Sequence, residues 1–397
     1  MKRVIIANFY PVWPPIGGGQ RRIFFLAREL SKEFQVDIVV PERQGVSKIL
    51  QFSPTLRQTH VGVEVQFRTL EQRLENEVRM AADVAYAMHW EECHHYQEVL
   101  ADRVACADAV VTAHPYSIWA ILKARGDRSI PVVFDSQNVE GRGKASVLDG
   151  FDAYLDEVRN IERRALESAD CIFACSETDA TAFAEDYGMD AKGITIIENG
   201  VDAVGVPIVA EDIRERLRVD LGLSDRLAAV FGGSYHYPNF QAVQRIVDVA
   251  QTTPQIVFIF LGSVCNHDIL KYAKAENIIC LGEVDESTKW MTFSVADMGL
   301  NPMELGSGSN IKMFEYAAAG LPSISTRFGA RGIALQPDQE FLLAEVQEMA
   351  SLLGSLDLAS RGKLRKMGAR AQKKVLAVAD WSVIGKRYLE AFRSLTA

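Results

Sequence analysis

The sequence predicts an α/β protein with two doubly wound parallel sheets. Short apolar runs alternate with amphipathic stretches along the chain, the pattern of strands covered by helices. The scheme runs through residues 3–199 and starts again near 227, without sequence repetition between the halves. The chain has 397 residues, too long for one ordinary domain and long enough for two cores.

In the first half the expected strands are RVIIANF (3–9), VDIVV (36–40), VGVEVQF (61–67), DAVVTA (108–113), PVVFD (131–135), DCIFAC (170–175) and ITIIEN (194–199). Helices are expected over QRRIFFLARELSKEF, the long segment from Thr69 to Ala105, and DAYLDEVRNIERRALES. In the second half the strands are LAAVFGG (227–233), QIVFIFLG (255–262), NIICLGE (277–283), DMGLNP (297–302) and PSIST (322–326), with a mostly helical tail after Glu340. ENGVDAVGVPIVAED (198–212) is rich in Gly, Val, Pro and Asp and has no clear period. It reads as a linker dividing domains 1–200 and 201–380. A linker there would leave a cleft between two sheets with the C-terminal strand ends facing each other, where open α/β sheets bind ligands.

Apolar residues make up 48% and charged residues 24% of the chain, the profile of a globular protein. The net charge of −9 argues against general nucleic-acid binding, so no nucleic-acid partner is expected. The apolar run in MKRVIIANFYPVW is too short for a signal peptide and reads as a first strand. No continuous apolar stretch is long enough to span a bilayer, so a cytoplasmic location is expected, with contact at a membrane surface left open. Six cysteines are scattered without a framework. Cys171 and Cys175 read as buried small hydrophobes in a reducing compartment. His89, Cys93, His94 and His95 read as a solvated helix face, with His89 and Cys93 at i, i+4; a zinc site there lacks a second ligand pair.

Polar motifs follow the strand ends. PPIGGGQRR (14–22) places three glycines where a helix begins, and exposed amides there suit an anion. Arg21 and Arg22 add positive charge; the plain alternative is a flexible turn with surface arginines. ELGSGSNIKMFEYAAAGLP (304–322) is the second such place. Gly306, Ser307, Gly308 and Ser309 would present amides and hydroxyls at the positive end of a helix beginning at Asn310. Lys312 would neutralise a diphosphate, and Glu315, a turn further on, suits the two adjacent hydroxyls of a ribose. The alternative is Ser309 as an ordinary cap with surface charges after it. His114 in HPYS, and Asp135, Gln137 and Asn138 in DSQNVE, stand at further strand ends. GGSYHYPN (232–239) and LGEV (281–284) end strands of the second half. The glycine spacing matches neither a P-loop nor the GxGxxG of a nicotinamide dehydrogenase. No aspartate pair has D-x-D spacing, so no metal-bridged diphosphate is expected; helix ends and cations would meet that charge.

NPMELGSGSNIKMFEYAAAGLPSIST resembles the donor-binding signature of the GT-B glycosyltransferases, in the large retaining E-x7-E group similar to family 4. The GGG loop (17–19), the histidine of HPYS, NGVD (199–202) and the late Trp381 follow in the order of that group, so the resemblance spans nearly the whole chain. It implies two Rossmann-like domains facing a cleft, with a terminal helix, 381–397, crossing back onto the first. It also implies that Glu315 holds the nucleotide ribose, and that Gly308, Ser309 and Asn310 meet the diphosphate and sugar. Gly18 and Gly19 would close on the donor phosphate. His114 would stand near the reactive end of the sugar, and Gly282 and Val284 would read the base.

The chain departs from the pattern twice. Ser307 stands where the first glutamate, which helps to hold the sugar, often occurs. Gly233 and Pro238 stand where an Arg and a Lys often follow the first strand of the second domain. Lys312 is the candidate for the missing positive charge, helped by Arg22; Arg22 and Asn138 are also candidates for the acceptor rim.

The function expected is metal-independent, retaining transfer of a sugar, with UDP the commonest carrier, to a glycan, lipid-linked or small-molecule hydroxyl. No cofactor is expected beyond the nucleotide sugar itself. A sugar-nucleotide epimerase or hydrolase, or a non-catalytic nucleotide-sugar-binding subunit, stays open as an alternative.

Overall fold

A computed structural model describes residues 1–78, 81–145, 147–207, 209–273, 275–306 and 308–397; Ser307 lies outside the described residues. The chain divides into two units, Met1–Asn199 together with Trp381–Ala397, and Gly200–Asp380.

The first unit is built on β1 (Arg3–Ala7), β2 (Gln35–Glu42), β3 (Lys48–Ser53), β4 (Leu56–Gly62), β5 (Ala109–Thr112), β6 (Val132–Asp135), β7 (Cys171–Ala174) and β8 (Ile194–Ile196). Among the described residues these form one sheet in the order β3-β4-β2-β1-β5-β6-β7-β8. Alternation along β1 explains its central place. Val4 and Ile6 face one core with Ile38, Val111 and the helix Gly18–Leu30. Ile5 and Ala7 face another with Val110, Phe134, Leu100 and Ile161. A strand buried on both faces must be apolar throughout.

Three elements of this unit differ from the sequence expectation. β3 pairs antiparallel with β4; it is an edge strand with no buried side chain, so it carries no buried apolar run to betray it. VGVEVQF splits, ending β4 at Gly62 and opening a helix at Val65. The segment after it breaks into helices Val65–Glu77, Ala82–His89 and His94–Val104, with a 3-10 turn at Trp90–Glu92. His89 and Cys93 therefore do not share one helix. Cys93 is in the core while His94 and His95 are exposed.

The second unit contains β9 (Leu227–Gly232), β10 (Ile256–Leu261), β11 (Ile278–Gly282), β12 (Met298–Asn301), β13 (Ser323–Ser325) and β14 (Leu342–Leu343). Its order among the described residues is β11-β10-β9-β12-β13-β14, all parallel. Ala228, Val230 and Ile259 pack on Trp290, Phe293 and Tyr316 on one face. Ala229, Phe231 and Phe258 pack on Val243, Ile246 and Leu364 on the other.

The terminal helix, Trp381–Leu395, belongs to the first unit. Trp381 stacks on Phe25 with ring centroids 5.8 Å apart, and Tyr388 and Phe392 pack on Phe173. Arg393 pairs with Glu33 and Arg387 with Glu198 at its rim. No helix among the described residues is long and apolar enough to cross a membrane.

Candidate functional site

In each sheet the strand order reverses beside the first strand, and loops leaving the C-terminal strand ends there diverge to leave a crevice. In the first unit the crevice lies between β1 and β5. The loop after β5 carries His114, which is 9% exposed. Its Nδ1 lies 3.1 Å from Glu140 Oε1 and its Nε2 lies 2.9 Å from the Tyr10 hydroxyl. With the Nδ1 proton donated to the carboxylate, Nε2 is left to accept from Tyr10. Tyr116 donates to the other oxygen of Glu140 at 2.9 Å. Burial works to raise the Glu140 pKa, but the bond and charge of His114, the Lys144 charge and the Tyr116 bond together hold it below the usual carboxylate range. A buried carboxylate thus fixes the histidine's tautomer and ring plane.

The loop after β1 leads to Gly17, where the Gln20 side chain accepts from the backbone N–H at 2.8 Å as the helix Gly18–Leu30 begins. Gly19 permits a close approach: a Cβ there would stand 2.4 Å from Gln137 Oε1 and 2.5 Å from the Tyr10 hydroxyl. Gly18 and Gly19 thus lie in the first turn of the helix, and Gly19 adjoins the tyrosine that bonds His114. Asn138 is half-buried, and its Oδ1 has no hydrogen-bond partner among the described residues.

Arg22 does not stand at a rim. It is 1% exposed, bonded to Asp135 Oδ1 at 2.6 Å, to the Ile197 carbonyl at 2.7 Å and to Asn199 Oδ1 at 3.2 Å. Burial alone would lower its pKa, yet Asp135 holds it above the ordinary arginine value. Its charge is neutralised inside the unit, where it ties the helix after β1 to the segment that leaves β8.

In the second unit the crevice lies between β9 and β12. Gly233 follows β9, its N–H donating to Leu261 at 3.0 Å. After β12 the chain passes through Gly306 and Gly308, at φ 115° and 63°, left-handed values that suit glycine. Asn310 precedes the helix Ile311–Ala318 and donates from Nδ2 to the Gly329 carbonyl at 2.8 Å, which anchors the loop to the turn after β13. Ser309 and Asn310 are both half-buried beside it.

Lys312 sits on the first turn of that helix. Its Nζ lies 3.9 Å from the centre of the Phe231 ring and donates to Asn239 Oδ1 at 3.1 Å. Burial, only partly opposed by Glu315, pushes its pKa down to about 7. Such an ammonium lacks a strong anionic partner and gains from one. Glu315, one turn on, accepts from Lys289 Nζ at 2.8 Å. Gly282 ends β11, and its carbonyl accepts from Gly262 at 2.7 Å; Val284 packs at the edge of the core.

Tyr10, Tyr116 and Glu140 in the first unit, and three contributors in the second, were not among the candidates read from the sequence. Asn239 holds Lys312, and Lys289 holds Glu315. Arg331 stands beside the Gly306 loop, 3.7 Å from where a Gly306 Cβ would be. Its signal was its place shortly after PSIST, another strand end on the same rim. No group of three His, Cys, Asp or Glu among the described residues is arranged to hold a metal.

Residues 16–204 match the family described as Glycosyltransferase Family 4, and residues 241–390 match a glycosyl transferase-like family. No curated protein matches the sequence. Among solved structures the chain is similar to sucrose-phosphate synthase of Thermosynechococcus elongatus, at 17% identity and TM-score 0.77, covering 100% of this chain and 99% of that one. It is also similar to HepE of Anabaena, solved with UDP and glucose, at 14% identity and TM-score 0.73, covering 99% and 100%. An α,α-trehalose-phosphate synthase (UDP-forming) from Burkholderia vietnamiensis is similar at 14% identity and TM-score 0.68, covering 100% and 99%. The two matched segments show that the chain is a glycosyltransferase, matching family 4 over 16–204 and a glycosyl transferase-like family over 241–390, and the order of both sheets and the solved structures show the GT-B fold.

Proposed function

We propose that this glycosyltransferase moves a sugar from a UDP-linked donor to an acceptor hydroxyl, with retention of anomeric configuration and without a metal ion. The observation that carries this reading is the segment from Gly306 to Glu315, with its left-handed glycines, a desolvated lysine and a carboxylate one turn apart. The helix amides at Gly308, Ser309 and Asn310 receive the diphosphate. Lys312 and Arg331 add positive charge that favours the leaving diphosphate over the bound ground state. Glu315 accepts from the ribose hydroxyls, with Lys289 holding its carboxylate in place. The backbone at Gly282 and Val284 meets the base, and Gly233 leaves room beside it. The presence of UDP in the HepE complex and the UDP-forming activity in the name of the Burkholderia protein favour uridine.

In the transfer, the bond from the anomeric carbon to the β-phosphate oxygen breaks. A bond from that carbon to the acceptor oxygen forms on the same face, and the acceptor proton passes to the departing phosphate oxygen. No enzymic base is assigned. His114, fixed by Glu140 and Tyr10, orients the sugar and stabilises charge as the bond breaks. Gly18 and Gly19 supply helix amides near the phosphate, and Asn138 contributes to acceptor binding. The acceptor class is a glycan, a lipid-linked glycan or a small molecule. The setting is cytoplasmic polysaccharide or glycoconjugate assembly, with peripheral contact at the membrane; absence of cosedimentation with anionic liposomes would remove that contact.

A panel of UDP-sugars, incubated with and without acceptors, tests the proposal. Acceptor-dependent UDP release with an α-configured product from an α-configured donor is expected. Epimer or free sugar formed equally fast without acceptor would overturn it.

A further inference from the structure

Cys265 and Cys280 belong to none of the machinery described above, and the fold brings them together from different elements. β11 keeps register with β10 as far as Phe260 opposite Cys280, then slips one residue so that Leu261 faces Gly282. Gly262 follows, its N–H donating to the Gly282 carbonyl at 2.7 Å. The 3-10 turn Ser263–Asn266 begins there, and the Cys265 N–H closes on the Gly262 carbonyl at 3.1 Å. The turn folds Cys265 back over the end of β11, which sets its thiol beside that of Cys280 and near the amides of Leu281 and Gly282. Cys280 is exposed and Cys265 half-buried, so a small oxidant reaches the pair.

We propose that Cys265 and Cys280 form a reversible intramolecular disulfide, made by exchange with a low-molecular-weight disulfide such as glutathione disulfide. The neighbouring Cys280 thiol, against the effect of burial and with help from the amides, brings the Cys265 thiol down to about 7, while the same pairing raises Cys280. A thiol titrating near ambient pH is the effective attacker. The Cys265 thiolate attacks one sulfur of glutathione disulfide, forming a mixed disulfide and expelling one glutathione thiolate. Cys280, no longer beside a thiolate, loses its proton to solvent and attacks the Cys265 sulfur. That step expels the second glutathione and closes the bridge; two protein thiols are oxidised and one glutathione disulfide is reduced to two glutathiones.

The remaining cysteines offer no competing pair. Cys93 and Cys175 are buried, Cys171 is half-buried with its thiol raised by burial, and Cys106 is exposed on the other unit. The bridge would fix the end of β11 beside Gly282, where the proposed function puts the base. That coupling rests on the proposed function; the disulfide does not.

The test is peptide mapping by mass spectrometry after incubation of the full chain with glutathione disulfide. A Cys265–Cys280 cross-linked peptide, reversed by reduced glutathione, is expected. In Cys280→Ser the reaction should stop at glutathionylated Cys265. Free Cys265 and Cys280, or only their separate glutathione adducts in the wild-type chain while Cys106 reacts in the same sample, would overturn the proposal. UDP stabilisation is then compared in reduced and oxidised protein. A changed shift supports the coupling and equal shifts overturn it, whereas no shift in the reduced protein overturns the nucleotide reading and leaves the disulfide standing.

Discussion

Lys312 is the residue whose chemistry is most exposed to test. Its folded pKa lies near 7 because burial disfavours the ammonium, whereas an unfolded chain holds that proton up to about 10.4. Between those values the unfolded state binds more protons, so this residue makes stability rise with pH across that window. A bound diphosphate restores the proton. UDP binding at about pH 8 should therefore take up a proton, approaching one per site. Calorimetry in buffers of different ionisation enthalpy reads this directly, and Lys312→Met should abolish the uptake. The same substitution should lower transfer by about 10²–10³-fold; full activity in Lys312→Met or Lys312→Ala would refute its role. In the first unit, Glu140→Gln replaces the acceptor for the His114 proton with an amide that can donate. It should lower kcat with little change in the KM for the donor, a split that steady-state kinetics reveals.

At the scale of elements, stability is set by side chains that join distant segments. Arg22 sits on the helix after β1 and Asp135 ends β6, 113 residues on. Removing one partner of such a buried pair leaves an uncompensated charge, so Arg22→Ala should cost about 3–5 kcal/mol in denaturant unfolding. Trp381, 1% exposed against Phe25, ties the terminal helix to the same helix, and Trp381→Ala should cost about 3–5 kcal/mol. These cases also show what could be read from sequence. The helix Asp152–Ser168 was legible because its apolar positions repeat at helical spacing; β3 was not, because no face of it is buried and its side chains carry no pattern. Arg22 read as a cation for the diphosphate or the acceptor rim because nothing local reveals a carboxylate 113 residues away. The Gly306–Glu315 segment was legible because its parts are contiguous. Asn239, 73 residues from Lys312, and Lys289, 26 residues from Glu315, join it only through the fold.

For the whole molecule, the alternation of apolar runs and amphipathic stretches was enough to give two doubly wound sheets. Pattern rather than identity specifies them: the chain shares only 14–17% identity with the structures compared above, yet reaches TM-scores of 0.68–0.77. In each sheet the reversal of order sets a crevice at the strand ends, and the glycine loops and charged groups of each unit collect there. Legibility ends at the choice of sugar and acceptor. Ser307, which replaces the glutamate expected to grip the sugar, lies outside the described residues, and the acceptor leaves no contiguous motif. The central claim is that the Gly306–Glu315 segment binds a uridine diphosphate sugar. The most direct measurement is thermal unfolding of the wild-type chain and Glu315→Ala with UDP, UDP-sugars and other nucleotides. Uridine nucleotides should stabilise the wild type by about 2.7 kcal/mol at a hundredfold excess over Kd, and Glu315→Ala should lose most of that shift. Unchanged melting with every nucleotide, or full stabilisation of Glu315→Ala by UDP, would contradict the claim.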